Sequence, residues 1–188
     1  LSIRRQRQMC IRDRYKIRET MEQQETIKNE QANSLIEYVV YIKSKEYSDN
    51  IKKAAELIKC ADSFQIFGIG VCRDIAKYTA RRFCRAGVYC YGIDDINYPI
   101  LDVPEGKESV IVIIHNFVKQ KELFEVVSKY KSKNYTIIMV AYENVGMIEQ
   151  LCDLVIYASN GIMKVGKVES GLPMLYTLER LTDEVTNE

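Results

Sequence analysis

A chain of 188 residues suits one domain of ordinary size with an extension. Its 47% hydrophobic share can build a core, and its 28% charged share excludes a disordered chain. A net charge of +1 excludes a whole-surface pull toward nucleic acid or membrane, so any contact with DNA has to rest on a local patch or on a further domain.

The first residues, "LSIRRQRQMCIRDR", have no strand or helix period. No apolar stretch of a signal peptide follows them, and "MCIRDR" has the look of translated adapter sequence, so residues 1–14 are read as a non-native or disordered leader. A linker helix is expected over residues 15–46, strongest over 19–45. It begins polar in "ETMEQQETIKNEQAN" and ends apolar, with Leu35, Val39 and Ile42 on one face and Ile36 and Val40 widening the stripe. "YSDN" (47–50) is read as supplying capping residues, and Ile51, Ala54, Ala55 and Ile58 as the face of the next helix.

From there the pattern alternates. "FQIFGI" (64–69) reads as a strand and 73–86 as a helix with Ile75, Thr79 and Phe83 inward and Gly87 at its C-terminal cap. "VYCYGI" reads as a second strand and "DDINYPILDVPEG" as loop. "SVIVII" (109–114) is a β-branched run that implies a strand covered on both sides. A helix over 119–132 buries Leu123, Val126, Val127 and Tyr130, and Asn134 ends it. "TIIMVAY", a short helix in "VGMIEQLC", and "DLVIYA" follow; "SNG" turns the chain into a last helix with Pro173 in its first turn. Strands alternating with helices predict an α/β protein: a three-layer α/β/α sandwich around a five-stranded, mostly parallel, flavodoxin-like sheet. Ligands of such sheets bind beyond the carboxyl ends of the strands, at the switch in strand order.

Two turns therefore matter most. "GIGVC" places Gly68, Gly70, Val71 and Cys72 between a strand and a helix, where backbone amides can face an anion. It lacks the third glycine of a dinucleotide fingerprint, and Asp94 and Asp95 read as solvated loop residues. Cys72 reads as structural, since no base stands beside it. The second turn, "IIHNFVKQKE", offers His115 at the end of the buried strand and Asn116 as a candidate N-cap. Lys119 and Lys121 there are better placed with a bound anion than without one. Six cysteines without a C-x-x-C pair, beside a single histidine, argue against a zinc site. They read as small buried apolar residues in a reducing cytoplasm. No run is long and apolar enough for a membrane helix.

These segments together resemble a SIS (sugar isomerase) domain over roughly residues 47–188. The likeness is carried by the strand–"FGIG"–helix opening, "RFCRAGVYCYGIDD", the buried strand with its loop and "KE", "TIIMVAYEN" and "LCDLVIYAS". The leading and closing helices resemble the effector half of RpiR-type transcription regulators. There a helix-turn-helix domain precedes a linker and a SIS domain that senses a sugar phosphate. The resemblance implies a ligand-sensing, dimerising domain without catalytic residues or cofactor, and DNA contact only through a domain absent here. It implies a carbohydrate derivative held by Gly68, Gly70, Val71, Cys72, His115, Asn116, Phe117, Lys119 and Gln120.

The loops depart from the family pattern. In the first, G-x-G-x-S, Cys72 replaces the serine. In the second, S-x-S-G-x-T, His115, Phe117, Val118 and Gln120 stand for the serines, the glycine and the threonine. Each lost hydrogen bond to a charged group costs about 1.5–3 kcal/mol. The expectation is a retained scaffold with altered anion chemistry. The alternatives are a sugar-phosphate isomerase using His115 with Glu122 or Glu143 as base, and a module that only dimerises.

Overall fold

A computed structural model describes residues 32–116, 120–142, 144–161, 163–165 and 168–187, with only the backbone at Gln120, Val165 and Val168. In chain order the elements are helix α1 (32–42), α2 (Lys45–Cys60), β1 (Ser63–Gly68), α3 (Cys72–Arg85), β2 (Tyr91–Ile93), β3 (Ser109–His115), α4 (Gln120–Ser132), β4 (Thr136–Ala141), a 3-10 helix (Gly146–Leu151), β5 (Leu154–Tyr157), the short strands β6 (Lys164–Val165) and β7 (Val168–Glu169), and α5 (Leu172–Thr186). The main sheet has the order β2-β1-β3-β4-β5, and every pair in it is parallel. The expected five-stranded sandwich is therefore the fold.

The hydrophobic pattern explains the layers. β3 is buried along its whole length, as a β-branched strand covered on both faces should be. Its even positions, Val110, Val112 and Ile114, join one core with α2, α3 and α5. Its odd positions, Ile111 and Ile113, join a second core under α4, with Leu123, Val126, Val127 and Tyr130. The period of two in the strand thus divides the helices between the faces. Helix α3 ends where expected: Gly87 adopts φ 88°, its N–H bonds to Cys84 O, and that of Val88 bonds to Phe83 O. This pair of bonds is the Schellman stop that glycine permits.

The N-terminal expectations need correction. Residues 15–31 of the expected linker helix lie outside the described residues. The helix does not run on to 45; it breaks after 42, and the cap is Ser44, whose side chain accepts the Tyr47 N–H at 3.2 Å. "YSDN" lies inside α2, where Tyr47 is buried and its hydroxyl lies 2.9 Å from Thr177 Oγ1. The inward face of α1 is also different. Tyr38 is buried, Tyr41 is half-buried and donates to Tyr157 O at 2.8 Å, while Leu35, Ile36, Val39 and Val40 are exposed. The rings of Tyr38 and Tyr41 stack edge-on with Tyr176 and Tyr47. Aromatic area, with the hydrogen bond of the Tyr41 hydroxyl, outweighs the aliphatic stripe as the anchor. The β6–β7 hairpin was not expected either, because strands of two residues leave no period to read. Among the described residues, no helix is long and apolar enough to cross a membrane.

Candidate functional site

Helix α3, after β1, covers one face of the sheet, and α4, after β3, covers the other. β1 and β3 are neighbours, so the chain diverges between them and opens the crevice where ligands of such sheets bind. Gly68 sits opposite Ile114 in the register. The "GIGVC" turn and the segment from His115 therefore leave adjacent strands at one rim. That juxtaposition was the expectation on which both functional readings rested, and the geometry bears it out.

The first turn is shaped by packing. A Cβ on Gly68 would lie 2.4 Å from the carbonyl oxygen of Cys72 and 3.0 Å from Ala76 Cβ, so only glycine lets α3 approach the strand this closely. Gly70 takes φ 60°, which turns the chain into the helix. The N–H groups of Cys72 and Arg73 donate back to Ile69 O and Gly70 O at 3.1 and 3.2 Å. Those of Gly70 and Val71 donate no backbone bond among the described residues. Val71 occupies the N-cap position without a side-chain acceptor and is 69% exposed.

Cys72 points the other way. It is fully buried, and burial pushes its thiol up to about 11, against a smaller downward pull from a backbone hydrogen bond with Asn116. A neutral, enclosed thiol is no nucleophile at ordinary pH. The cysteine serves instead as a contact between the two rim segments.

In the second segment, His115 is 8% exposed and lies opposite Ala141 of β4. The expected N-cap at Asn116 rests on residues 117–119, which lie outside the described residues. The Asn116 side-chain oxygen is buried and has no hydrogen-bond partner among the described residues. A buried acceptor left unpaired is costly, and a donor supplied by a ligand would relieve it. Phe117, Lys119 and Glu143 lie outside the described residues, and only the backbone of Gln120 is described.

Beside the rim, a cavity of ≈ 710 Å³ is bordered by Gly70 and lined also by Arg73, Asp94, Asp95 and Glu122, a size that suits a small ligand. Asp94 binds Lys77 Nζ at 2.6 Å and Arg73 Nε at 3.5 Å. The Lys77 hydrogen bond in particular holds its carboxyl below the ordinary value. Sequence reasoning set Asp94 aside and passed over Arg73 and Lys77. The signal was present as two cations at i, i+4 and an acid after the next strand, but it needed the strand pairing to be read. Among the described residues there is no group of three or more side chains suited to holding a metal ion.

No protein-family model matches the chain, and a comparison with curated proteins finds no match. Solved structures match in fold. The sugar isomerase domain of an RpiR transcription factor from Sphaerobacter thermophilus superposes with TM-score 0.65 at 12% identity, over 85% of this chain and 87% of that one. Vibrio vulnificus NanR in complex with ManNAc-6P gives 0.65 at 12% identity, over 88% and 65%. A Methanococcus jannaschii protein whose structure was taken to infer a 3-hexulose-6-phosphate isomerase gives 0.59 at 21% identity, over 83% and 84%. The chain thus has the fold of SIS domains, including those of RpiR-type regulators.

Proposed function

We propose that this chain is the ligand-sensing and dimerising domain of an RpiR-type transcription regulator, and that it takes a carbohydrate derivative carrying a phosphate at the β1/β3 rim. What supports this reading is that Gly70 and Val71, whose amides donate no backbone bond among the described residues, and Asn116, whose buried side-chain oxygen has no hydrogen-bond partner among them, follow adjacent strands at one rim. Amides suit a phosphate, and a carboxamide oxygen suits a sugar hydroxyl. Neighbours of the same fold include a regulator bound to ManNAc-6P, which supports the ligand class. Val71, His115 and the Gln120 backbone complete the proposed contacts; Gly68 and Cys72 shape the turn from behind, and Phe117 and Lys119 follow directly on Asn116. DNA would be reached through a helix-turn-helix domain encoded upstream of Tyr15, with the protein in the cytoplasm.

A screen of aldose and ketose phosphates by thermal shift tests the reading. A ligand that binds only the folded state at a hundredfold excess over its Kd adds about 2.7 kcal/mol and raises the melting point. No shift with any member of the panel counts against it. A second reading, sugar-phosphate isomerase, is favoured by one observation: Glu122 lines the same cavity and supplies a carboxylate. Turnover abolished by Glu122→Gln or His115→Ala, with binding retained, would establish that reading instead.

A further inference from the structure

A second concavity lies at the opposite end of α3, where that helix meets α5. It measures ≈ 450 Å³ and is lined by Arg81, Arg82 and Arg85 from α3 and Thr182, Asp183 and Thr186 from α5. Its carboxylates are already engaged. Asp183 accepts from Arg180 Nη1 at 2.9 Å, and Glu179, just outside, accepts from Tyr78 Oη and lies 3.8 Å from Arg82 Nη2. Arg81 and Arg85 have no carboxylate within 4.0 Å among the described residues.

The dipole at the end of α3 favours cations there and accounts for one or two of them. It does not account for three guanidinium groups around one hollow when, among the described residues, only Arg82 of the three has a carboxylate within 4.0 Å. Arg81 and Arg85 stand at i, i+4, one turn apart on the same face, so their planar forks can converge on one multiply charged anion. Balanced charge over the whole chain makes the local excess stand out.

We infer that this α3–α5 hollow is an anion site distinct from the rim, taking a small phosphate-dense ligand of the polyphosphate or nucleoside-polyphosphate class through Arg81 and Arg85. It lies roughly 15–20 Å along the helix from Cys72 at 1.5 Å per residue. A ligand there would clamp α3, the helix whose first turn forms part of the rim, to α5.

Inorganic tripolyphosphate is the probe, titrated calorimetrically into the full chain at low salt. Binding is expected below about 1 mM, and Arg81→Ala with Arg85→Ala should weaken it at least about tenfold, the equivalent of one lost hydrogen bond to a charged group. Arg73→Ala, at the rim, should leave it unchanged, which separates failure of this site from failure of the rim. Absence of binding at that concentration overturns the inference, as does equal binding to the double variant when its melting point shows it folded. Retention of a duplex DNA with no affinity for tripolyphosphate also overturns it, in favour of a nucleic-acid surface.

Discussion

The two segments at the rim have opposite characters. The turn after β1 is settled: glycine fits beneath α3, two of its amides close on its own carbonyls, and its thiol is enclosed in the core. The segment after β3 is unsettled: Asn116 keeps a buried side-chain oxygen without a hydrogen-bond partner among the described residues. The first holds the crevice in shape; the second holds the group that a ligand would satisfy. On the proposed function, the first segment gives the rim its shape and its amides, and the second gives the side chain that tells ligands apart.

The largest expected effect breaks the settled side. Gly68→Ala drives a methyl into the Cys72 carbonyl, and urea unfolding should show a loss of about 3 kcal/mol, the upper range for overpacking. A loss under about 0.5 kcal/mol would mean that α3 sits less tightly than described.

Next comes the enclosed thiol. Its folded value of about 11 stands above the ordinary one, so the folded state holds its proton where the unfolded chain has released it. The stabilisation is complete below the unfolded value and fades as pH rises through the folded one. Melting points should fall from about pH 8.5 toward 11, and less steeply in Cys72→Ala. In the same protein at neutral pH, iodoacetamide should label the exposed Cys60 and Cys84 and spare the buried Cys72 and Cys90. Labelling of Cys72 at the rate of Cys60 would contradict its enclosure.

Asn116→Ala sharpens the comparison from the other side. Removing an unpartnered acceptor should change stability by less than about 0.5 kcal/mol, yet weaken a rim ligand by about tenfold. A large stability loss with unchanged affinity would assign Asn116 to the scaffold. The smallest effect is at Asp94, whose carboxyl is held low by Lys77 and Arg73. Its contribution is present above the ordinary aspartate value and lost as pH falls through the lower folded one, so the acid-side decline in melting point below about pH 4 should be slightly shallower in Asp94→Asn.

Much of this was legible in the chain. The buried run "SVIVII", the glycine stop at Gly87 and the inward set Leu123, Val126, Val127 and Tyr130 each named an element and its face. Where reading failed, a longer-range contact had decided. Apolar residues at 35, 39 and 42 suggested an aliphatic face, but only Ile42 packs on the core, and ring stacking on Tyr176 and Tyr47 turned the helix by its tyrosines. Asp94 looked solvated until β2 paired beside β1 and brought it to Arg73 and Lys77. Local period identifies faces; only strand pairing identifies which loops share a rim.

The most direct test is a ¹H–¹⁵N NMR titration of the labelled chain with the sugar phosphate that gives the largest thermal shift. The amides of Gly70, Val71, His115 and Asn116 should move together and saturate with one Kd. Saturable binding that leaves those four in place and moves residues elsewhere would contradict a ligand at the β1/β3 rim.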